Sequence, residues 1–406
     1  MLREYTNDCV HCGFCLPTCP TYVLWREEMD SPRGRIHLMD ARLDGTVTLN
    51  ATVSTHFDRC LGCMACVSSC PSGVRYDRLI EATRAAVEDE LERPLGDRVL
   101  RGALFKVLLH PGRMRAALRL APLGRALPLP RGLRALADVA PRWRGRGDTP
   151  ALTPGVGPQR GRVGLLTGCV QQAVFPDVNA ATARVLAADG FDVVAPPQGC
   201  CGALSVHAGR LQEGKRLARA LVDAFEDVDL VAVNASGCGS HLKELGWLLG
   251  DEGAEAFAAK VRDAGELLRD TPPRAARHPL PLRVGLQDPC HVRHAQRLPL
   301  AFGTALRRIP ALEVVEPAEQ ELCCGSAGIY NVVQAEAARA LGDRKAANVL
   351  ATGVQAYASA NPGCLVQVSA ALRRAKRPLP ALHPIELVDA SIRNVGAGRL
   401  LTRARR

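Results

Sequence analysis

Sixteen cysteines constrain this chain more than any other feature, and half of them fall in two copies of one pattern near its start. Cys9-x2-Cys12-x2-Cys15-x3-Cys19-Pro20 is followed, after 40 intervening residues, by Cys60-x2-Cys63-x2-Cys66-x3-Cys70-Pro71. Three thiolates within seven residues can wrap one face of a 4Fe-4S cubane. The fourth ligand must come from elsewhere, because the chain has turned away by then. In paired clusters of this pattern the fourth Cys ligates the other cluster. The expected sets are therefore Cys9, Cys12, Cys15 and Cys70 for one 4Fe-4S cluster, and Cys60, Cys63, Cys66 and Cys19 for its neighbour. The alternatives fit the spacing badly. Structural zinc is usually held by two separated Cys pairs, and a disulfide framework needs an oxidising compartment. The first eight residues contain no apolar signal region.

The chain has 406 residues, enough for two or three domains with sizeable cores. Apolar residues make up 47%, yet no run of about 18 of them occurs, so no membrane-spanning helix is expected. The formal charge of +11 is local: 93–146 carries thirteen Lys and Arg against two Asp, a net of +11 that leaves the remainder neutral. A general nucleic-acid-binding surface is not expected, since the motif-bearing parts have no excess positive charge. The basic stretch is rich in proline, and Leu100, Leu104, Val107 and Leu108 give it an amphipathic face. Residues 93–160 read as a basic, Pro-rich helical linker. It is either a solvated connector or a surface that touches anionic lipid or a partner.

Residues 1–92 read as a helical domain built around the two clusters, with a Ser31-Pro32 helix start between the Cys runs and a helix over 76–91. From 161 onward strand and helix signals alternate, twice. Strands are expected at 162–167, 191–195 and 230–234, with helices at 179–189 and 208–225. The second half repeats the order, with strands at 283–287, 312–316 and 356–360 and helices at 301–308 and 332–350. This is a parallel α/β pattern. Cys169, Cys200, Cys201 and Cys238 in the first half match Cys290, Cys323, Cys324 and Cys364 in the second, at offsets of 121 to 126 residues. The fold class is thus α+β multidomain: a two-cluster ferredoxin-like domain followed by two duplicated α/β Cys-Cys-Gly modules, at 161–275 and 276–406.

Each duplicated cysteine lies beyond the carboxyl end of an expected strand, where open α/β sheets gather their ligand sites. Four thiolates should converge in each half. Adjacent cysteines are poorly placed to pair with each other, which leaves an iron-sulfur cluster, zinc or metal-free thiol redox chemistry open for each module. Gly202 and Gly325, next to the doublets, would let the backbone approach a cofactor and offer N–H groups to sulfur. His207, His241 and His291 lie nearby, but four thiolates already complete a tetrahedral set, and a core or surface histidine is the commoner case. Gly209-x4-Gly214-Lys215 resembles a phosphate loop, but Arg216 stands where Ser or Thr is required and the segment has a helical pattern.

The succession of these motifs resembles the family of iron-sulfur subunits of bacterial glycolate oxidase (glycolate dehydrogenase) over nearly the whole chain. The resemblance rests on Cys9-Val10-His11-Cys12-Gly13-Phe14-Cys15, Ser31-Pro32-Arg33-Gly34-Arg35-Ile36, Cys70-Pro71-Ser72-Gly73-Val74-Arg75-Tyr76, Ala235-Ser236-Gly237-Cys238-Gly239 and Cys323-Cys324-Gly325-Ser326-Ala327-Gly328. Wider relatives are the C subunit of anaerobic glycerol-3-phosphate dehydrogenase and heterodisulfide reductase subunits. The resemblance implies a complex in which separate FAD-binding subunits oxidise glycolate to glyoxylate and this chain carries the electrons onward; a quinone-type acceptor is expected for them, although no quinone pocket can be read from the residues. Its setting would be cytoplasmic, or peripheral on the inner face of the membrane through 93–146. The residues agree on that division of labour, since neither a dinucleotide-binding glycine motif after a strand nor an acid–base pair is found. D-lactate or glycerol-3-phosphate as the substrate of the complex, and thiol redox chemistry of the heterodisulfide reductase kind, are the alternatives. The broader Cys-Cys-Gly pattern often ends in Cys-x2-Cys; here His241 and Gln367 take the second position, which argues against a five-thiolate double cluster.

Overall fold

The longest helix between the Cys runs begins after Ser31, which ends the preceding turn and caps the new helix. Its hydroxyl accepts a hydrogen bond from the Gly34 N–H at 3.0 Å, and Pro32 occupies the first turn, where its missing N–H costs nothing. In this computed structural model, which describes residues 2–126, 137–141, 145 and 148–405, that helix is α1 (Pro32–Leu43). Helix α2 (Tyr76–Glu90) buries Tyr76, Leu79, Ile80, Thr83 and Val87, a helical stripe. Phe57 and Ile36 close the same small core against that stripe.

Two further helices, α3 (Leu95–Leu108) and α4 (Pro111–Ala126), occupy the basic segment. Leu104, Phe105 and Leu118 are buried there, so both helices are packed against the body of the protein. The remainder of the basic charge, including Arg131, Arg134, Arg142, Arg144 and Arg146, lies outside the described residues.

The first module holds a five-stranded sheet in the order β1-β3-β2-β4-β5, with β1 Leu152–Thr153, β2 Arg162–Leu166, β3 Asp192–Val194, β4 Leu230–Val233 and β5 Val261–Asp263. Only β1 is antiparallel, pairing Leu152 with Val194, so this sheet begins before residue 161. The second holds β7-β6-β8-β9, with β6 Leu282–Gln287, β7 Leu312–Val315, β8 Ala356–Ser359 and β9 Ala381–Leu382, all parallel. Apart from β1 the two orders are the same, with β2 and β6 in equivalent positions. The six expected strands are all present; β1, β5 and β9 are additions that the sequence pattern does not signal. Helices α5 (Pro176–Ala188), α6 (Leu211–Ala224) and α7 (Ser236–Lys243) belong to the first module, and α8 (Ala335–Ala351), α9 (Pro362–Arg374) and α10 (Pro384–Ile392) to the second. The segment 211–224 is helical, as its pattern requires, which disposes of the phosphate-loop resemblance.

One apolar core runs through both modules, and polar ties cross between them. Arg184 on α5 forks onto Asp389 on α10 at 2.8 and 2.7 Å. Asp189 accepts from the backbone N–H groups of Arg274 and Ala275 and from the Arg277 guanidinium. The N-terminal domain is tied to both modules. Arg84 on α2 donates to the carbonyls of Phe57, Cys60 and His207, while His291 lies 3.1 Å from the Gly62 carbonyl and His294 2.6 Å from the Ser68 hydroxyl.

Candidate metal and redox centre

The first Cys run, held between Thr6 and Pro20, forms one small cavity with Cys9, Cys12 and Cys15 in its wall together with Cys70 and Cys66. A second is lined by Cys19, Cys60, Cys63 and Cys66. Each three-cysteine run thus shares a cavity with the last cysteine of the other run, the arrangement that exchanged fourth ligands require. The donor sets suit a cluster, with at least four thiols around each cavity and Cys66 bordering both.

Within the second set, the surroundings of Cys60 favour thiolate. Burial pushes the Cys60 thiol up, but the guanidinium groups of Arg35 and Arg84, the Gly62 N–H and the Tyr76 hydroxyl together hold it below its ordinary value. The Gly62 N–H donates to the Cys60 sulfur at 3.4 Å and the Tyr76 hydroxyl at 3.6 Å, contacts that stabilise sulfur bearing negative charge. Cys63 and Cys66, both buried, are pushed up by that burial and by neighbouring thiols. Behind Cys19 lies a charged lattice that sequence reasoning missed. Arg35, 1% exposed, reaches the Asp30 carboxylate and the Thr21 hydroxyl, and Thr21 lies 3.2 Å from the Cys19 sulfur. In sequence the Ser31-Pro32-Arg33-Gly34-Arg35 segment signals only a helix cap; Arg35 is what it delivers to the site.

The eight cysteines of the modules open onto a single cavity of about 720 Å³. Cys169, Cys200, Cys201 and Cys238 come from one module and Cys290, Cys323, Cys324 and Cys364 from the other, and Cys60 of the N-terminal domain lines it too. Within the modules, Cys169 and Cys200 sulfurs are 3.2 Å apart and those of Cys324 and Cys364 3.3 Å apart. One thiol in each set is favoured as thiolate. Donation from Cys169 and Cys201, helped by the Gly202 N–H, brings Cys200 far down, and donation from Cys323 and Cys364, helped by the Ser326 N–H, does the same for Cys324. Among the described residues no three His, Cys, Asp or Glu side chains are arranged to hold a single metal ion, and the four thiols of each set are donors that either an iron-sulfur cluster or zinc takes.

Gly202 offers its N–H to the Cys200 sulfur as expected, but neither Gly202 nor Gly325 brings backbone to the cavity wall. Both have left-handed backbones, at φ +88° and +85°, and a Cβ there would lie 2.5 Å from the Gly214 carbonyl oxygen or 2.7 Å from that of Ala338. Their missing side chains let the doublet turn pack on the next helix. His207 and His291 do line it, and His241 lies buried behind. His207 pairs with Glu81 at 3.0 Å and His291 with the Ser240 hydroxyl at 2.5 Å. Burial, with His207 alongside, pushes His241 down to about 4 and His291 to about 3, so both are neutral at pH 7. Lys345, also missed, is buried beside Cys323 and Cys324.

The family described as a 4Fe-4S dicluster domain matches residues 5–74, and that described as a Cysteine-rich domain matches twice, at 163–243 and 284–369. A probable glycolate oxidase iron-sulfur subunit of Bacillus subtilis (strain 168) is 38% identical over 395 residues, covering 90% of this chain and 89% of the relative. The glycolate oxidase iron-sulfur subunit of Escherichia coli (strain K12) is 36% identical over 404 residues, covering 95% and 93%. A subunit of the fumarate reductase (CoM/CoB) of Methanothermobacter marburgensis is 29% identical, covering 81% of this chain and 71% of the relative. A solved structure of a hypothetical protein from Helicobacter pylori is similar in fold alone, with a TM-score of 0.54 at 8% identity over 91% of this chain and 69% of that one.

Proposed function

Because the chain belongs to the family of glycolate oxidase iron-sulfur subunits, we propose that it is the electron-transfer subunit of a flavin-dependent 2-hydroxy acid dehydrogenase complex, with glycolate as the substrate. FAD-binding partner subunits oxidise glycolate to glyoxylate, and this chain passes the electrons toward a quinone-type acceptor. Iron-sulfur clusters, when bound, supply one-electron carriage that amino-acid side chains do not. Cys9, Cys12, Cys15 and Cys70 would hold one 4Fe-4S cluster, and Cys60, Cys63, Cys66 and Cys19 the second. Each module's four cysteines would hold a further iron-sulfur cluster.

The observation that carries this reading is the continuity of the thiol-lined cavities. Cys66 borders both cavities of the N-terminal domain, and Cys60 borders both the second of these and the large cavity of the modules. An ordered line of sulfur sites from one end of the protein to the interior of the other is what an electron conduit needs. The protein's own residues keep that line dry and fixed. Cys19, Cys60, Cys63 and Cys66 are buried, Arg35 and Arg84 place positive charge beside them, and Gly62 and Tyr76 direct hydrogen bonds at the Cys60 sulfur.

A setting at the inner face of the membrane is supported by α3 and α4, which expose Leu95, Val99 and Leu120 among Arg98, Lys106 and Arg113. No helix among the described residues is long and apolar enough to cross a membrane. Reconstitution tests the assignment. The purified chain alone should not oxidise glycolate, and glycolate-dependent reduction of its centres should appear when the flavoprotein subunits are added. Glycolate oxidation by this chain without a flavoprotein overturns the reading.

A further inference from the structure

The large cavity of about 720 Å³ is shared: the clusters that its eight thiols would hold take the part against the cysteines, and the part between α3, α4 and Ile329–Val333 is left for a small molecule, whose sites usually span about 300 to 1,000 Å³. Its walls are chiefly apolar, with Leu104, Val107 and Leu118 contributed by α3 and α4 and Ile329, Val332 and Val366 by the second module. Against that apolar background three polar side chains stand out. Gln171, 1% exposed, has both amide atoms buried, Tyr330, 4% exposed, has a buried hydroxyl, and His207 has a buried Nε2; none of these atoms has a hydrogen-bond partner among the described residues. All three side chains line the same cavity. A buried polar group left unpaired costs about 1–3 kcal/mol, so three at one cavity mark a place where a ligand's oxygen atoms belong.

The mouth says which kind of ligand. Leu120 lines the cavity and is also 63% exposed, so the cavity comes to the surface beside Leu120 on α4. The outer side of α3, opposite its cavity-lining Leu104, exposes Leu95 and Val99, at 74% and 62%, with Arg98 and Lys106, and α4 exposes Arg113. A helix pair with exposed leucines among basic groups suits the headgroup boundary of an anionic bilayer. A ligand entering there comes from lipid, and inside it meets an apolar envelope, a few hydrogen-bonding groups for oxygen and the thiols of both modules.

We infer that the cavity between the two modules and the α3–α4 pair is the binding site of a quinone with a lipophilic tail, its ring oxygens held by Gln171, Tyr330 and His207 and its tail leaving past Leu120. This rests on the proposed function and gives its acceptor a site. The Gln171 amide and the Tyr330 hydroxyl donate to quinone carbonyl oxygens. His207, with Nδ1 donating to Glu81, offers the Nε2 lone pair to a quinol hydroxyl; carrying a second proton, it donates from Nε2 to the carbonyl. The two electrons released by oxidation of the 2-hydroxy acid and two protons from solvent convert both carbonyl oxygens to hydroxyls, which balances the reaction.

The test uses the full chain with its metal centres intact and neither glycolate nor flavoprotein present. Decylubiquinone binding is measured by titration, and a photoreactive azidoquinone is crosslinked and its attachment mapped by peptide mass spectrometry. Label should fall on α3, α4 and the 329–333 segment. Leu104→Trp, which fills the cavity, and the paired change Gln171→Leu with Tyr330→Phe should each raise the Kd at least tenfold. Labelling elsewhere, an unchanged Kd in both variants, absence of quinone binding, or preferential uptake of a water-soluble disulfide overturns the site. Mapping on the unmodified chain decides the matter even if a variant fails to fold. Glycolate-dependent dye reduction by the assembled complex is scored separately, so a failed site with an active complex counts against this inference alone.

Discussion

Replacing Asp30 by Asn should loosen the N-terminal domain by an amount that its surroundings allow to be worked out. The Asp30 side chain is fully buried and its carboxylate receives Arg59 at 2.7 Å, His56 at 3.0 Å and Arg35 at 3.4 Å. Arg35 is equally buried, and its guanidinium is held above the ordinary arginine value, because the Tyr76, Cys60, Cys19 and Asp30 groups outweigh the burial that opposes its charge. The amide keeps the shape and removes the counter-charge, leaving Arg35 with thiolates as its remaining anionic partners. Breaking a buried pair from one side costs about 3–5 kcal/mol. With a urea m-value of about 2 kcal/mol/M, the denaturation midpoint should fall by about 1.5–2.5 M. The assay is urea denaturation of the metal-loaded protein, followed by visible iron-sulfur absorption and by hydrogen exchange of the α1 amides. The joint change Asp30→Leu with Arg35→Met should be milder than Asp30→Asn, because it removes both charges together. A midpoint shift under about 0.5 M would mean that the lattice behaves as an exposed ion pair, worth about 0–1 kcal/mol, and the reasoning would fail.

Three further outcomes are expected. Cys19→Ala should deplete the cluster whose remaining ligands are Cys60, Cys63 and Cys66, and paramagnetic resonance of the reduced protein that instead finds the Cys9, Cys12 and Cys15 cluster alone missing would refute the exchange of fourth ligands. Fully loaded protein should hold about sixteen iron atoms, and the pairs Cys200→Ser with Cys201→Ser and Cys323→Ser with Cys324→Ser should each remove about four; wild-type iron content and partner-linked electron transfer in both would reduce the modules to scaffolding. Burial sends His383 down to about 3 from 6.5, so the unfolded chain takes up the proton first, and the stability this group contributes is full above pH 6.5 and lost as pH falls toward 3. At pH 5 that loss is about 2 kcal/mol, and His383→Asn should flatten the pH dependence of the melting temperature between pH 7 and 5; equal slopes in the two proteins would contradict it.

The parts of this protein that repeat or alternate were legible in its sequence. The spacing of Cys9 to Cys19 and of Cys60 to Cys70 states a ligand geometry outright, and strands β2 and β6, with their apolar runs before a cysteine, announce themselves. Strands β5 and β9 did not, because they are three and two residues long and lie beyond the last cysteine of each repeat, where no motif draws attention. The burial of Asp30, Arg35 and Lys345 was also out of reach. Charged side chains default to the surface, and only partners distant in sequence, such as Arg59 for Asp30 or Cys324 for Lys345, make the interior tolerable for them. Reading the modules one at a time hid the most consequential fact, that their eight cysteines face one space. The same limit applied to α3: its amphipathic pattern was visible, but not that Leu104 and Val107 would wall that space.

Arg84 joins three carbonyl groups that belong to two different parts of the protein, Phe57 and Cys60 on one side and His207 on the other. With His291 on Gly62 and His294 on Ser68, the N-terminal domain is clamped to both modules at once. Many carriers move charge by ferrying it, with a small domain that docks at the donor, lets go and swings to the acceptor. Here the clamps leave no such stroke. Donor and acceptor ends stand at a set separation, as in a soldered wire, and the speed of passage is governed by spacing and driving force while the viscosity of the surroundings drops out.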